Sequence, residues 1–148
     1  MNTTMKRVLV VALMTFTLGS IAGPALAASP HIVSGPDVSV SGNTLTVTAS
    51  IAGLGNVPSA DFALEGTVTV SSRCYTKKGN TPQAANKQET INVSQFGTFP
   101  VRNGRTNVTF SVSPLSTLKC PGGQHVLIEG ITYDLTLTGP GISEPITS

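Results

Sequence analysis

Charged and aromatic residues are scarce in this chain of 148 residues. Only 11% of the residues are charged, 5% are aromatic and none is tryptophan. Nine basic residues stand against seven acidic ones, but Lys6 and Arg7 lie in an N-terminal segment with the features of a leader. Without these two, seven basic residues balance seven acidic ones, and the formal charge is zero. Binding of nucleic acid or of an anionic membrane surface requires a basic patch, so we expect neither partner.

Residues that commonly carry catalysis or bind metals are also few. The two histidines, His31 and His125, are far apart in the sequence, and no Gly-x-Ser-x-Gly motif, acidic EF-hand loop or Gly-rich phosphate loop is present. The closest carboxylates, Asp61 and Glu65, would lie about 13 Å apart along a strand, which is too far for either class of glycoside hydrolase. We therefore expect no enzyme activity, no metal and no cofactor.

The N-terminal segment is typical of a secretory signal peptide. A basic pair precedes an apolar run, and small residues around Ala25 and Ala27 precede a cleavage site after Ala27 or Ala28. The alternative is a membrane anchor, but the apolar run of about 15 residues is shorter than the roughly 20 that span a bilayer. The sequence predicts a signal peptide over 1–27 and one secreted domain over 28–148, with no stable membrane anchor.

Export determines how the only two cysteines are interpreted. Thiols tend to pair in an oxidising compartment, and Cys74 and Cys120 allow one intramolecular pairing. A reactive or metal-binding thiol pair is the alternative, although the spacing is far from C-x-x-C. The sequence predicts a disulfide between Cys74 and Cys120.

Apolar residues alternate with Thr and Ser at a period of two through most of the remaining chain, as in strands that bury one face. No segment shows helical spacing over three turns. The predicted strands are 37–40, 43–52, 61–72, 88–95, 98–102, 105–113 and 125–138. Seven short strands without helices indicate an all-β fold, an immunoglobulin-like antiparallel β-sandwich, with a small β-barrel as the alternative. The last ten residues, 139–148, are predicted to be a flexible tail.

Two local signals refine this prediction. Asn103 and Gly104 both accept positive φ, and they lie between alternating segments, which predicts a hairpin. In the last predicted strand the apolar residues change from even to odd positions near Glu129 and Gly130. This change of phase predicts a β-bulge or a bend between sheets.

Several segments resemble a group of small secreted single-domain proteins of microbes, which also have a leader and a cysteine pair. The resemblance extends roughly from Ile32 to Leu137. Its segments are Ile51–Gly55, Ala85–Lys87, Gly97–Gly104, Ser113–Pro121 and Gln124–Val126. The resemblance implies an exported domain. It transfers no catalytic residue, because the group has no established activity.

One segment, 74–87, departs from the strand pattern and is polar. Long irregular loops are usually functional or disordered, so Tyr75, Lys77, Lys78 and Lys87 are the candidate surface for an acidic or polymeric partner. The preferred interpretation of this segment is a solvated connection between two sheets that Cys74 holds in place. We expect a secreted, non-catalytic module that binds an extracellular protein or polymer. A secreted hydrolase, or a protease inhibitor that uses the 74–87 loop, is the alternative function.

Overall fold

The computed structural model describes residues 29–148, and in these residues all regular structure is β-strand. The predicted signal peptide lies outside the described residues. The seven strands are β1 (His31–Ser41), β2 (Thr44–Ala52), β3 (Ser59–Thr76), β4 (Pro82–Pro100), β5 (Thr106–Val112), β6 (Gln124–Gly139) and β7 (Ile142–Thr147).

The strands form two antiparallel sheets that pack face to face. One sheet has the order β1-β2-β5 and the other the order β4-β3-β6-β7. The prediction of an all-β sandwich with about seven strands is therefore confirmed. A single closed barrel is wrong, because the strands pair within two separate sheets.

Alternation builds the core, as the sequence predicts. In β5 the residues Thr106, Val108, Phe110 and Val112 are all buried, and those between them are exposed. The same rule buries alternate residues of β2 and β3, so that apolar side chains from both sheets meet in one layer. The fully buried apolar side chains of this layer include Leu45, Val47, Ile51, Leu64, Val68, Val70, Val108, Leu115, Leu135 and Leu137.

Three phenylalanines pack together at one end of the sandwich. Phe99 makes edge-to-face contacts with Phe62 and Phe110, with ring centroids 6.0 Å and 5.5 Å apart. Because Phe110 belongs to β5 and the other two belong to β3 and β4, these contacts join the two sheets. A Cβ built on Gly139 would collide with the ring of Phe62, so this position of β6 requires glycine.

Strand β4 corrects the predicted boundaries. The segments 88–95 and 98–102 were predicted as separate strands, but β4 runs without a break from Pro82 to Pro100. Gly97 interrupts the apolar pattern yet still pairs with Phe62 of β3. The inward-facing residues on both sides of Gly97 have the same odd phase, which is the mark of one continuous strand.

The C-terminal segment is a strand for most of its length, so the prediction of a flexible tail over 139–148 is wrong. Residues Ile142–Thr147 form β7 and pair with β6, and Ile146 is buried opposite Leu135. Pro145 and the nearby glycines obscure the alternation of this segment. An edge strand tolerates proline, because the missing N–H can face away from its neighbour.

The predicted turn and bulge are both present, but the turn does not join two paired strands. Asn103 and Gly104 have φ of 53° and 71°, as a two-residue turn of this kind requires. Beyond one bridge between Arg102 and Arg105, the chain moves from β4 in one sheet to β5 in the other. In β6, Ser71 pairs with Gly130 and Ser72 with Ile128, so Glu129 is the extra residue of a bulge.

The chain returns from β5 to β6 through residues 113–123, which we call the crossover segment. Leu115 of this segment is fully buried in the core. Cys120, near its end, forms the predicted disulfide with Cys74 of β3, and their Cα atoms are 5.6 Å apart. The crossover segment is thus attached near the end of β3, an interior strand of the four-stranded sheet.

Replacement of Cys74 and Cys120 by serine should destabilise the fold. The disulfide closes a loop with a sequence separation of 46 residues, for which the chain-entropy model gives at most roughly 4 kcal/mol. Urea unfolding of the native and Cys74→Ser/Cys120→Ser proteins measures the difference. Two free thiols in a non-reducing peptide map of the exported protein would contradict the pairing.

Candidate interaction surface

The segment predicted as a long polar loop is the end of a hairpin, so the prediction of a loop over 74–87 is wrong. Strand β3 continues through Thr76 and β4 begins at Pro82, which leaves only 77–81 as a connection. Thr76 and Thr81 close the turn through their backbone and the Thr76 hydroxyl, at 3.0 Å. Most side chains of 82–88 are exposed, so no buried face imposes apolar alternation on this end of the hairpin.

Tyr75 has a structural contact. Its hydroxyl donates a hydrogen bond of 2.6 Å to Glu129, the bulged residue of β6, and Arg73 forms an ion pair with the same carboxylate at 3.0 Å. The hydrogen bond raises the pKa of Tyr75 and lowers the pKa of Glu129. These contacts link β3 to the bulge of β6, and they occupy the polar end of Tyr75.

Lys87 is likewise engaged within the protein. It forms an ion pair with Glu89 at 3.0 Å and donates a hydrogen bond of 2.6 Å to the Thr117 hydroxyl. Glu89 accepts hydrogen bonds from the hydroxyl and the backbone N–H of Thr117, and from the Ser116 hydroxyl. Lys87 and Glu89 therefore hold the crossover segment against β4.

Lys77 and Lys78 are the two candidate residues that remain on the surface. Both are exposed in the connection between β3 and β4, and the backbone N–H of Lys77 bonds to Gly123 at 2.9 Å. The structure therefore does not bring the four predicted residues together as one surface. Two of them stabilise the fold, and two present charge at the end of a hairpin.

The histidines lie in different sheets. His31 is exposed at the start of β1, where its Nδ1 lies 2.9 Å from the carbonyl oxygen of Ser29. His125 is half-buried at the start of β6, opposite Tyr75. Among the residues that the structure describes, no three His, Cys, Asp or Glu side chains gather as metal ligands would.

The most exposed large apolar side chain among the described residues is Phe96, at 74%. It lies on the outer face of β4, opposite Ala63, beside a shallow groove that Asp61, Thr98 and Thr138 also line. Thr98 donates a hydrogen bond to Asp61. An aromatic ring held on a strand next to hydrogen-bonding groups is typical of contact surfaces.

Within residues 29–148, β4 is an edge strand that pairs with β3 alone. Edge strands are commonly protected by charge or proline. Lys87 and Glu89 pair with the inward-facing Ser72 and Val70, so their side chains are on the inward face as well. Inward-pointing charges protect the first half of the β4 edge. Residues 90–99 carry neither a charge nor a proline. Phe96 therefore lies in the unprotected half of a sheet edge.

The alternation in the sequence shows that Phe96 faces solvent, but residue 96 falls between the predicted strands 88–95 and 98–102 and was therefore missed. The inward residues of β4 occupy odd positions, such as Ile91, Val93 and Phe99. Phe96 is at an even position, which places a large ring on the solvent face. Division of β4 into two strands hid this difference in phase.

Comparison with known proteins leaves the family open. No family model matches the sequence, and no curated protein matches it. Within residues 29–148, no helix is long and apolar enough to cross a membrane.

The Glu89 contacts predict how stability depends on pH. Hydrogen bonds from Thr117 are the main reason that the pKa of Glu89 is lowered from 4.5 to about 2. A carboxyl with a lowered pKa stabilises the fold above its unfolded-state pKa, and this contribution is lost as the pH falls towards the folded-state value. We expect Glu89→Gln to lower the Tm at pH 7, and the Tm difference from the native protein to shrink between pH 4.5 and 2.

Thermal melting followed by circular dichroism at several pH values measures this difference. Glu65→Gln is the matched control, because Glu65 is exposed on the outer face of β3, and its Tm at pH 7 should stay close to the native value. A Tm difference for Glu89→Gln that does not change with pH would contradict the role of the Glu89 carboxylate.

Proposed function

We propose that the protein is an exported, non-catalytic module that binds an extended segment of another extracellular protein. The observation that carries this proposal is the position of Phe96 beside the unprotected half of the β4 edge. Binding is proposed in place of catalysis because the sequence has no recognisable catalytic motif and the two histidines lie in different sheets. A secreted hydrolase and a protease inhibitor remain the alternative functions.

Export is supported by three features. The leader pattern of residues 1–27 is typical of a signal peptide. The disulfide between Cys74 and Cys120 is compatible with an oxidising compartment. The resemblance to small secreted microbial proteins supports the same location, and we propose that the chain is related to that group.

We also propose that the sandwich is immunoglobulin-like. Its first, second and fifth strands form one sheet, and its third, sixth and seventh strands belong to the other. Strands A, B, E and C, F, G are divided in this way in immunoglobulin domains. Strand β4 lies beside β3, where variable-type domains have strand C′. The disulfide differs from that of antibody domains, since it joins β3 to the crossover segment.

The chemistry of a sheet edge favours a polypeptide as the occupant. An open edge presents unpaired backbone N–H and C=O groups, which an added strand can satisfy, while neighbouring side chains supply specificity. A strand added beside residues 90–99 would place its own side chains next to Phe96 on the outer face of β4. A polysaccharide has no peptide backbone whose N–H and C=O groups could continue the hydrogen-bond ladder of this edge.

Removal of the predicted signal peptide during export would shorten the chain. Intact-mass analysis of the protein from culture supernatant should show an N-terminus at Ala28 or Ser29, because the small residues before these positions suit signal peptidase. Retention of Met1 in the exported protein would contradict cleavage and would support the membrane anchor.

Substitution of Phe96 tests the binding surface. With the mature domain as bait for the producing organism's secretome and cell wall, Phe96→Ser should reduce capture at least tenfold relative to the native domain. Its stability should change by less than about 0.5 kcal/mol, because the ring is mostly exposed. Val57→Ser is the matched control, since Val57 is a partly exposed apolar residue outside the strands.

The mode of binding has its own measurement. The captured protein should slow hydrogen exchange at those amides of 90–99 that do not bond to β3. Slower exchange confined to another part of the domain, or equal capture by both variants, would contradict the proposal. Sedimentation that shows a dimer of the isolated native domain but not of Phe96→Ser would identify a second copy as the occupant and also overturn it.

A further inference from the structure

Two arginines flank the Asn103–Gly104 turn and stand side by side. Arg102 and Arg105 form a β-bridge in which each backbone N–H donates to the other's carbonyl oxygen, at 2.8 Å and 2.9 Å. Residues paired in this way project their side chains from the same face of the ribbon. The turn is also attached to the neighbouring loop, because the N–H of Leu54 donates to Gly104 at 3.0 Å. The backbone therefore holds both arginines at one place.

The charge of this pair is not neutralised by an ion pair in residues 29–148. The ion pairs of this part of the chain are Arg73–Glu129 and Lys87–Glu89, and both arginines of the turn are exposed. Like charges directly opposite each other destabilise a strand pair. The arrangement therefore lowers the stability of the fold, and a ligand that neutralises both charges would remove this cost.

The groove beside the arginines adds hydrogen-bond donors, while Asp37 lines a neighbouring groove that Ser50 and Asn107 also line. Arg102 and Arg105 line a surface groove together with Ser50 and Asn107, and no Asp or Glu lines it. Ser50 donates a hydrogen bond of 2.7 Å to Oδ1 of Asn107. This contact uses the acceptor oxygen of the Asn107 amide, and the Nδ2 hydrogens take no part in it.

We propose that this groove binds an oxyanion group, a carboxylate, sulfate or phosphate carried by an extracellular ligand. Guanidinium groups bind such planar or tetrahedral oxyanions through two parallel hydrogen bonds, and the Asn107 amide provides a further donor. The ligand presents a single anionic group, because the predicted mature domain is formally neutral and has no extended basic surface. This site is separate from the Phe96 groove, and it does not depend on a partner at β4.

Titration followed by NMR tests this site in the full mature domain. Acetate, sulfate and phosphate are added separately at constant ionic strength, with chloride as the reference. We expect saturable shifts at the side-chain N–H groups of Arg102, Arg105 and Asn107, at millimolar concentrations because the groove is open to solvent. Binding of any of the three anions supports the site, and the tightest of them identifies the group that the ligand carries.

The matched variants have the same change of charge. Arg102→Gln/Arg105→Gln should weaken anion binding at least tenfold without lowering the Tm, since it removes a pair of like charges. The Lys77→Gln/Lys78→Gln variant lacks two exposed charges in the connection between β3 and β4. It should bind the anion as tightly as the native domain does. Shifts that rise linearly with anion concentration and do not saturate would overturn the proposal, and so would an equal loss of binding in both double variants. Either result would show that the anions only screen charge.

Discussion

The crossover segment is bonded to elements of both sheets and so links them. This segment leaves β5 at the edge of one sheet and enters β6 in the interior of the other. Asn43, in the turn between β1 and β2, bonds to both backbone groups of Ser116, at 2.7 Å and 3.0 Å. Glu89 of β4 and the disulfide to Cys74 of β3 hold its later part. Elements of both sheets therefore fix one connection, and Leu115 is placed in the core as a result.

Buried serine is tolerated in this connection because its polar groups have partners. The Ser116 hydroxyl lies 2.6 Å from the Ser72 hydroxyl, donates to Glu89 at 3.0 Å and accepts from the N–H of Leu118 at 3.1 Å. A buried hydroxyl without such partners would destabilise the fold. The hydrogen bonds to Glu89 thus explain why a polar segment crosses the end of an otherwise apolar layer. Because Lys87 is paired with Glu89, it is unsuited to be a free contact residue.

Sequence reasoning predicts the β-sandwich well where one face of a strand is buried, and poorly where neither face is. The runs that contain Leu45 and Phe110 alternate regularly, and their strands lie where the pattern predicts. The end of the β3–β4 hairpin is exposed on both faces, so 82–87 looks like a loop although it is a strand. Which cations are engaged depends on contacts between distant segments, such as Lys87 with Thr117, and local spacing does not reveal them.

The two surface pairs of basic residues differ in how far the fold prepares them to bind a ligand. Lys77 and Lys78 are adjacent and exposed in a short hairpin connection, and each carries its ammonium group on a flexible four-carbon stem. Arg102 and Arg105 are separated by two residues, yet the Asn103–Gly104 turn makes them direct neighbours. A two-residue turn with two positive φ angles has this effect on any residues that flank it. Because the backbone has already positioned the arginines, the protein loses less conformational entropy when they bind a ligand. The Asn103–Gly104 pair, which predicts a turn from the sequence, is therefore also the feature that brings the two arginines of the proposed anion site together.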